Sequence, residues 1–455
     1  MTEQIIHRLN HSAAARWTVL FIVATAMMMG YFVNDVMSPL ETLLEMPRSQ
    51  GGLGWSQADY GFFSGAGGFF NVFLLMLFFS GLILDKMGIR FTGVLACSLM
   101  LIGTGLKLYG VTADFGDATL SLFGAQLPLS VVVASLGFAT FGVGYEMTGI
   151  TVSKAMVRWF TGYELAMAMG IQLAMARLGT AAALSISAPL ARHYSLPMPL
   201  LVSVAFLSLG LVAFLVFCVM DRKLDDAVAN TPQTKAGDSQ EDSDQFRLAD
   251  IGITLRSPGF WLITLFCVLF YSAVSPFLKF STRLMIVKYG VDADLAGFFS
   301  SIAPFGTILL TPLFGYVYDR YGRGATLVIT GALMLTAVHF GFALPFHSAS
   351  VAILLMVLLS LGYSLAPAAL WPCVPKIIPL KCLGTAYSMI FFIQNFGRTI
   401  IPLVVSRTNE ADPTYATSMI VFGCTALGAA LAASGILWVD KRKGYGLQLP
   451  NIKYQ

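Results

Sequence analysis

Charge is what this sequence lacks. Only 11% of its 455 residues are Asp, Glu, Lys or Arg, less than half the ~25% usual for a soluble domain. So few charges cannot cover the core that a soluble chain of this length would bury. Apolar residues make up 56% and the mean hydropathy is +0.75, which excludes disordered and coiled-coil classes as well. The net charge of +4 is small, and no basic stripe interleaved with aromatics offers a nucleic-acid surface. The six cysteines are scattered through apolar segments and none forms a C-x-x-C pair. A disulfide framework and a zinc site are therefore not expected, and the thiols read as small buried hydrophobes. There is no Walker loop, H-E-x-x-H or nucleophile elbow, so neither an enzyme nor a cofactor or metal site is expected.

What the sequence has is a succession of long apolar runs. A membrane-spanning helix needs ~20 such residues. Runs bounded by charge, Gly or Pro predict spans at 17–40, 57–83, 90–110, 128–157, 163–192, 197–220, 258–287, 294–318, 325–345, 350–376, 383–406 and 413–438. All read as helices, because open strands cannot satisfy their backbone in lipid. The first run has no small-residue cleavage site after a short core, so it reads as a retained span and not a signal peptide. The predicted fold is an all-α membrane protein with twelve transmembrane helices in two pseudo-symmetric six-helix bundles. Residues 1–220 form the first bundle, and 258–455 form the second with its tail. The polar, acidic stretch 221–257 is a linker that cannot bury enough apolar surface to fold alone.

Placing both termini and the linker in the cytoplasm puts nineteen Lys and Arg on that side against four (Arg48, Arg192, Lys288, Arg407) on the other. The positive-inside rule selects this orientation.

The halves repeat. Gly81, Asp85, Lys86, Gly88 and Arg90 recur as Gly315, Asp319, Arg320, Gly322 and Arg323. Gly144-Tyr145, followed by Arg158, recurs as Gly362-Tyr363, followed by Lys376. Internal duplication of six helices is a transporter signature. In the tight loop between spans two and three, Gly81 is expected to let two helices approach. Asp85 is placed to accept from a helix N-terminus or pair with an arginine, and Gly88 to permit a sharp turn.

Two copies of this G-x-x-x-D-[KR]-x-G-x-[RK] pattern, in loops 2–3 and 8–9, resemble the major facilitator superfamily across the whole length. That resemblance implies that the ten motif residues gate the cytoplasmic side and do not touch substrate. A narrower resemblance lies in Tyr163–Gly179, Leu361–Pro372, Leu383–Tyr387 and Ile393–Asn395. These segments are similar to the branch that contains the eukaryotic lysosomal dipeptide transporter. They imply a dipeptide substrate and a Glu–Arg pair at Glu146 and Arg177. The amino-terminal tail lacks an acidic dileucine signal, and Glu41-Thr-Leu43-Leu44 falls on the outer side. A prokaryotic relative in the cell's inner (plasma) membrane is therefore expected rather than a lysosomal protein.

Ionisable groups inside spans are costly and usually functional. Here they are Asp35, Lys107, Glu146, Arg177, Lys279, Arg283 and Arg398. Glu146 lies 12 residues before Arg158, and Arg177 13 residues after Glu164. At ~1.5 Å per residue both sit about 18–20 Å from the same flank, on helices expected to be antiparallel neighbours. The second half offers Ser364 where the first has Glu146, so the polar site is asymmetric. Asp35 belongs to the outer portion, and Lys279, after Pro276, can face the cavity or snorkel. Arg283 and Lys107 read as interfacial, and Arg398 as cavity or interface. His339 reads as a satisfied buried histidine.

The expected function is a secondary transporter moving small dipeptides across the membrane by alternating access. Arg177 would take the carboxylate by a bidentate contact, and Glu146 would orient it or bind the ammonium. Lys279 would add to the carboxylate end and Asp35 to the amine end. Tyr31, Tyr145, Tyr363, Gln172, Gln394 and Asn395 would hydrogen-bond the peptide unit, with Arg398 beside them. The partners implied are a small-molecule substrate and the lipid bilayer. The alternative is an organic-anion or sugar-acid transporter, because intramembrane cations outnumber anions.

Overall fold

The computed structural model describes residues 12–122, 125–160, 165–229, 255–377 and 383–450. Among them, eleven helices are long and apolar enough to cross a membrane. The first half contains α1 (Ala13–Asp35), α2 (Glu41–Glu45), α3 (Gln57–Ala66), α4 (Phe69–Phe73), α5 (Met76–Thr112), α6 (Leu129–Phe160), α7 (Leu165–His193) and α8 (Met198–Ala229). The second contains α9 (Pro258–Val287), α10 (Ala293–Tyr321), α11 (Gly324–Ala343), α12 (Ala349–Ile377), α13 (Leu383–Ala411) and α14 (Ala416–Lys443).

Local chemistry fixes the helix starts. Ser12, Ser257 and Asp292 each accept a backbone N–H of the first turn, and Pro258 occupies the first position of α9. Ser56 and Asp59 form a reciprocal capping box at α3. Large apolar side chains such as Leu209, Leu309 and Leu431 remain exposed on the outward faces, as lipid-facing residues do in a membrane solvent.

Three features depart from the sequence reading. The expected span 57–83 is not one helix but α3, α4 and the start of α5, broken at Gly67-Gly68 and at Leu75, whose φ is +54°. A Cβ on Gly67 would lie 2.8 Å from Phe138, and one on Gly68 3.2 Å from the Asn395 carbonyl oxygen. The break thus lets this segment lie against both α6 and α13. The loop after α5 carries a small antiparallel hairpin, β1 (Thr119–Leu122) with β2 (Ala125–Pro128), pairing Thr119 with Pro128 and Leu122 with Ala125. The sixth span continues as helix to Ala229, nine residues into the expected linker, while 230–254 lie outside the described residues.

Small residues let helices touch within each half. A Cβ on Gly137 would lie 2.6 Å from the Gly103 carbonyl oxygen, and one on Gly362 3.0 Å from that of Gly331. Backbones that close are a membrane device, because lipid tails give no hydrophobic drive between helices. The halves themselves join at the ends opposite the chain termini, here termed distal. Gly61 packs on Ser406, Gly65 on the Thr399 carbonyl and Gly297 on the Leu184 carbonyl. Ser185 donates to Ser301 at 2.9 Å, and Ala58 N–H to Glu410 at 2.7 Å.

The proximal ends carry the repeated motif. Gly88 kinks α5 at φ +78°, and Gly322 ends α10 at φ +72°, as the turn argument requires. Among the described residues Gly81 and Gly315 meet nothing where a Cβ would stand, so the expected close approach at Gly81 is not found there. The side chains of Asp85 and Asp319 lie outside the description. Asp221, fully buried on α8, accepts from Trp159 Nε1 at 3.1 Å and pairs with Arg158 at 3.3 Å and Arg90 at 3.7 Å. In the second half the segment 444–450 folds back over the equivalent loop. The carbonyls of Leu447 and Gln448 accept Gly324 N–H (3.0 Å) and Arg323 N–H (2.9 Å). Lys376 Nζ donates to the Gly446 and Leu449 carbonyls at 3.3 and 3.2 Å, and Asp440 accepts Leu447 N–H at 3.1 Å.

Candidate functional site

Where the helices of the two halves face each other, they bring together most of the charges that fall in spans. On α1, Asp35 accepts from Asn34 Nδ2 at 2.9 Å, from Thr180 on α7 at 2.9 Å and from Lys279 Nζ on α9 at 2.7 Å. Lys279 also donates to the Asn34 carbonyl. The Asn34 side-chain oxygen accepts from Arg398 on α13 at 3.5 Å. Arg398 in turn forms an ion pair with Glu146 on α6. One polar chain therefore runs Thr180–Asp35–Lys279–Asn34–Arg398–Glu146, crossing between the halves four times.

This corrects the expected partner of Glu146. Its carboxylate is held by Arg398 of the opposite half and not by Arg177, although depth alone made Arg177 the natural choice. Sequence spacing gives depth along a helix but not which helix faces it. Lys279 is not snorkelling: Asp35 holds it within the polar chain.

Arg177 lies with its guanidinium carbon 4.6 Å from the ring centre of Tyr363, a cation–π contact. Tyr31, Tyr145 and Tyr271 also stand within its electrostatic reach. Among the described residues no carboxylate is within ion-pair distance of it. Arg398 makes the pseudo-equivalent contact, 5.5 Å from the ring centre of Tyr145, and Tyr145 packs on Tyr31 at 5.0 Å. Each half's arginine thus lies over the other half's tyrosine. Ser364, standing where Glu146 would be repeated, merely returns its hydroxyl to the Ser360 carbonyl.

The remaining candidates divide. Gln172 is buried beside Met27, its Nε2 3.3 Å from the sulfur and its Oε1 without a partner. The Gln394 Oε1 is likewise unpartnered. Asn395 donates to the Phe391 carbonyl at 2.9 Å and packs on Gly68, so it serves the join between halves. Trp371 donates to Tyr271 at 3.2 Å.

Two residues expected at the interface are buried. Lys107 is fully enclosed between α1 and α6, donating to the Val33 carbonyl at 3.0 Å with its ammonium 4.8 and 4.6 Å from the rings of Phe138 and Phe141. Arg283 pairs with Glu45 and stands 4.0 Å from Glu41. His339 is buried against Phe277 and Phe422, but neither ring nitrogen has a side-chain partner satisfying it. Sequence reasoning passed over Asn34, Thr180 and Glu41. Asn34 had a signal, an amide beside Asp35 in an apolar run. Glu41 had none, because its segment read as an outer loop.

Residues 115–402 match the Major Facilitator Superfamily. The chain belongs to that superfamily. It is a multi-pass integral membrane transporter and not an enzyme. It is 26% identical to the zebrafish (Danio rerio) lysosomal dipeptide transporter MFSD1 over 387 residues, covering 83% of this chain and 78% of that one. Similarity to the human protein of the same name is 26% over 385 residues, with 82% and 77% covered. The hexuronate transporter of Bacillus subtilis is 23% identical over 347 residues, covering 71% and 80%. Among solved structures, the fold resembles a D-xylose–proton symporter (TM-score 0.67, 14% identity, 92% and 97% covered). It also resembles a peptide transporter POT in complex with alafosfalin (TM-score 0.66, 16% identity, 95% of each chain covered).

Proposed function

We propose that this transporter carries dipeptides with free termini, and that Arg177 receives their carboxylate. One observation carries the reading. Lys279 is neutralised by Asp35 and Arg398 by Glu146, whereas Arg177 has no counter-charge among the described residues. A partly buried cation lacking an ion partner inside a span is costly, and a substrate carboxylate would supply the partner with bidentate geometry. Glu146 is the acceptor for the ammonium end, released from Arg398 as substrate enters. The tyrosines around Arg177 and the unpartnered oxygens of Gln172 and Gln394 are suited to the peptide amide. Similarity to proteins named as dipeptide transporters supports the same substrate class.

In this reading the proximal ends face the cytoplasm, as the Lys and Arg distribution favours, and the plasma membrane is the location. The packed distal contacts then make the present state inward-facing. The two motif copies, with Gly88, Gly322 and the Asp221 cluster, act at the cytoplasmic gate, away from substrate.

An organic-anion or sugar-acid cargo is the second reading. The unpaired Arg177 would serve it equally, and the similarity to a hexuronate transporter favours it. Uptake into liposomes of a neutral dipeptide, its N-acetylated form and a dicarboxylate separates the two. The dipeptide reading expects the free dipeptide to be carried and the acetylated one not. Carriage of the dicarboxylate without the free dipeptide would replace it with the anion reading.

A further inference from the structure

At one point of the distal join two carboxylates, those of Glu41 and Glu45, face the single guanidinium of Arg283. Glu41 and Glu45 sit at the ends of α2, reached from α1 through the turn Ser38–Leu40. Arg283, on α9 of the opposite half, pairs through Nη1 with Glu45 and donates from Nε to the Tyr415 hydroxyl. Glu41 is left 4.0 Å from that Nε, is only 1% exposed, and has no hydrogen-bond partner on either oxygen among the described residues. The nearby Thr42 hydroxyl and Glu45 Oε1 are also buried and unpartnered. The groups facing Glu41 are Glu45 on its own helix, Arg283 from α9 and Tyr60 from α3. Tyr415 at the start of α14 faces it as well, and Asp35 on α1 acts on Tyr60 and not on Glu41 directly. Lys279 is committed to Asp35.

A second ionised carboxylate here would be an uncompensated buried charge, which such groups avoid by taking up a proton. We infer that Glu41 is a proton-binding site of the closed distal gate, filled when the halves meet and emptied when they part. This inference rests on the alternating-access reading but not on the identity of the cargo. When the distal gate opens, Arg283 and Tyr415 leave with the second half and Glu41 meets bulk water on the distal side. The proton returns to the side it came from, so it is a ligand of the gate and not a co-transported ion. Acid on that side holds the gate shut, and alkali releases it. One proton bound only by the closed form changes the closed-to-open ratio by at most about tenfold per pH unit.

The test uses the full-length protein in lipid nanodiscs without substrate. Spin labels go at Tyr194→Cys and Phe346→Cys, both exposed at distal ends of opposite halves, with the native cysteines replaced. Distances are read by pulsed electron resonance from about pH 5 to about pH 9, a range that brackets carboxylate titration in buried sites. The parent should pass from a short to a long distance as pH rises. Glu41→Gln, a permanent neutral mimic, should stay short throughout. Glu45→Gln should weaken or abolish the opening at high pH, because Arg283 is then free to pair with ionised Glu41 in the closed form. A parent distance that ignores pH overturns the inference. So does a Glu41→Gln variant that keeps the parent's transition, a Glu45→Gln variant that leaves it unmoved, or a transition that follows added sodium at fixed pH.

Discussion

The guanidinium of Arg177, from the first half, lies over the ring of Tyr363, from the second. The duplicated scaffold repeats the contact in the opposite sense, Arg398 over Tyr145. Among the described residues only one of the two arginines has a carboxylate, because Ser364 stands where Glu146 would be repeated. A near-symmetric pair is thereby divided into a fixed cation and a free one.

The free cation predicts a separation of stability from activity. Arg177→Ala orphans no carboxylate, so the melting temperature of the substrate-free protein should not fall. Uptake should be abolished. Arg177→Lys should lower uptake at least tenfold, since a point charge lacks the planar fork. Melting curves and initial uptake rates on the same preparations check both statements.

The fixed cation predicts the reverse. Glu146→Gln leaves Arg398, partly buried with its side chain 21% exposed, without its counter-ion, and residual solvation keeps the cost below the about 3–5 kcal/mol of a fully buried pair. The melting temperature should drop. Glu146→Met combined with Arg398→Met should recover much of that loss without restoring uptake. A double variant no more stable than the single would argue that the pair is worth more than its desolvation.

Asp221 anchors the proximal end of the first half through Trp159, Arg158 and Arg90. Asp221→Asn removes a buried charge that two arginines need, so it should destabilise by about 3 kcal/mol. Asp221→Glu should do less harm to stability but misplace Arg90. Thermal unfolding with light scattering measures the first, and uptake the second.

Among the described residues Lys107 has one carbonyl and two aromatic rings as partners and no carboxylate. Lys107→Met keeps the stem and removes the buried charge. The variant should melt at or above the parent temperature and keep its uptake, whereas Gly137→Leu, beside it, should fail to fold. Overpacking there is severe because a Cβ would already lie 2.6 Å from the Lys107 amide nitrogen.

Much of this architecture was legible from hydropathy alone, because a backbone in lipid has few alternatives to the helix. The spans, the duplicated halves and the turns at Gly88 and Gly322 follow from run length and repeat. Also legible was an expected depth along the helix for Glu146 and Arg177. Azimuth was not. Nothing in the spacing of α6 or α13 says that Glu146 faces Arg398, since that depends on how the two bundles rotate against each other. The same limit hid Lys107, which apolar neighbours made look interfacial. The break of span two at Gly67-Gly68 was hidden in an unbroken apolar run, and only contact with Phe138 and Asn395 reveals why small residues stand there.

The tail segment 444–450 has a practical consequence for anyone attaching a reporter to this protein. In the first half, Arg158 and Asp221 meet directly. Their counterparts Lys376 and Asp440 are instead wedged apart, each holding main-chain groups of Gly446–Leu449. A fluorescent protein spliced in after Lys443 would discard the wedge. Lys376 would then be free to collapse onto Asp440, leaving the first turn of α11 without the two carbonyls that now cap it. A fusion joined beyond Pro450 keeps the wedge seated. The attachment point, and not the size of the cargo, decides whether the labelled transporter has the same proximal surface as the native one.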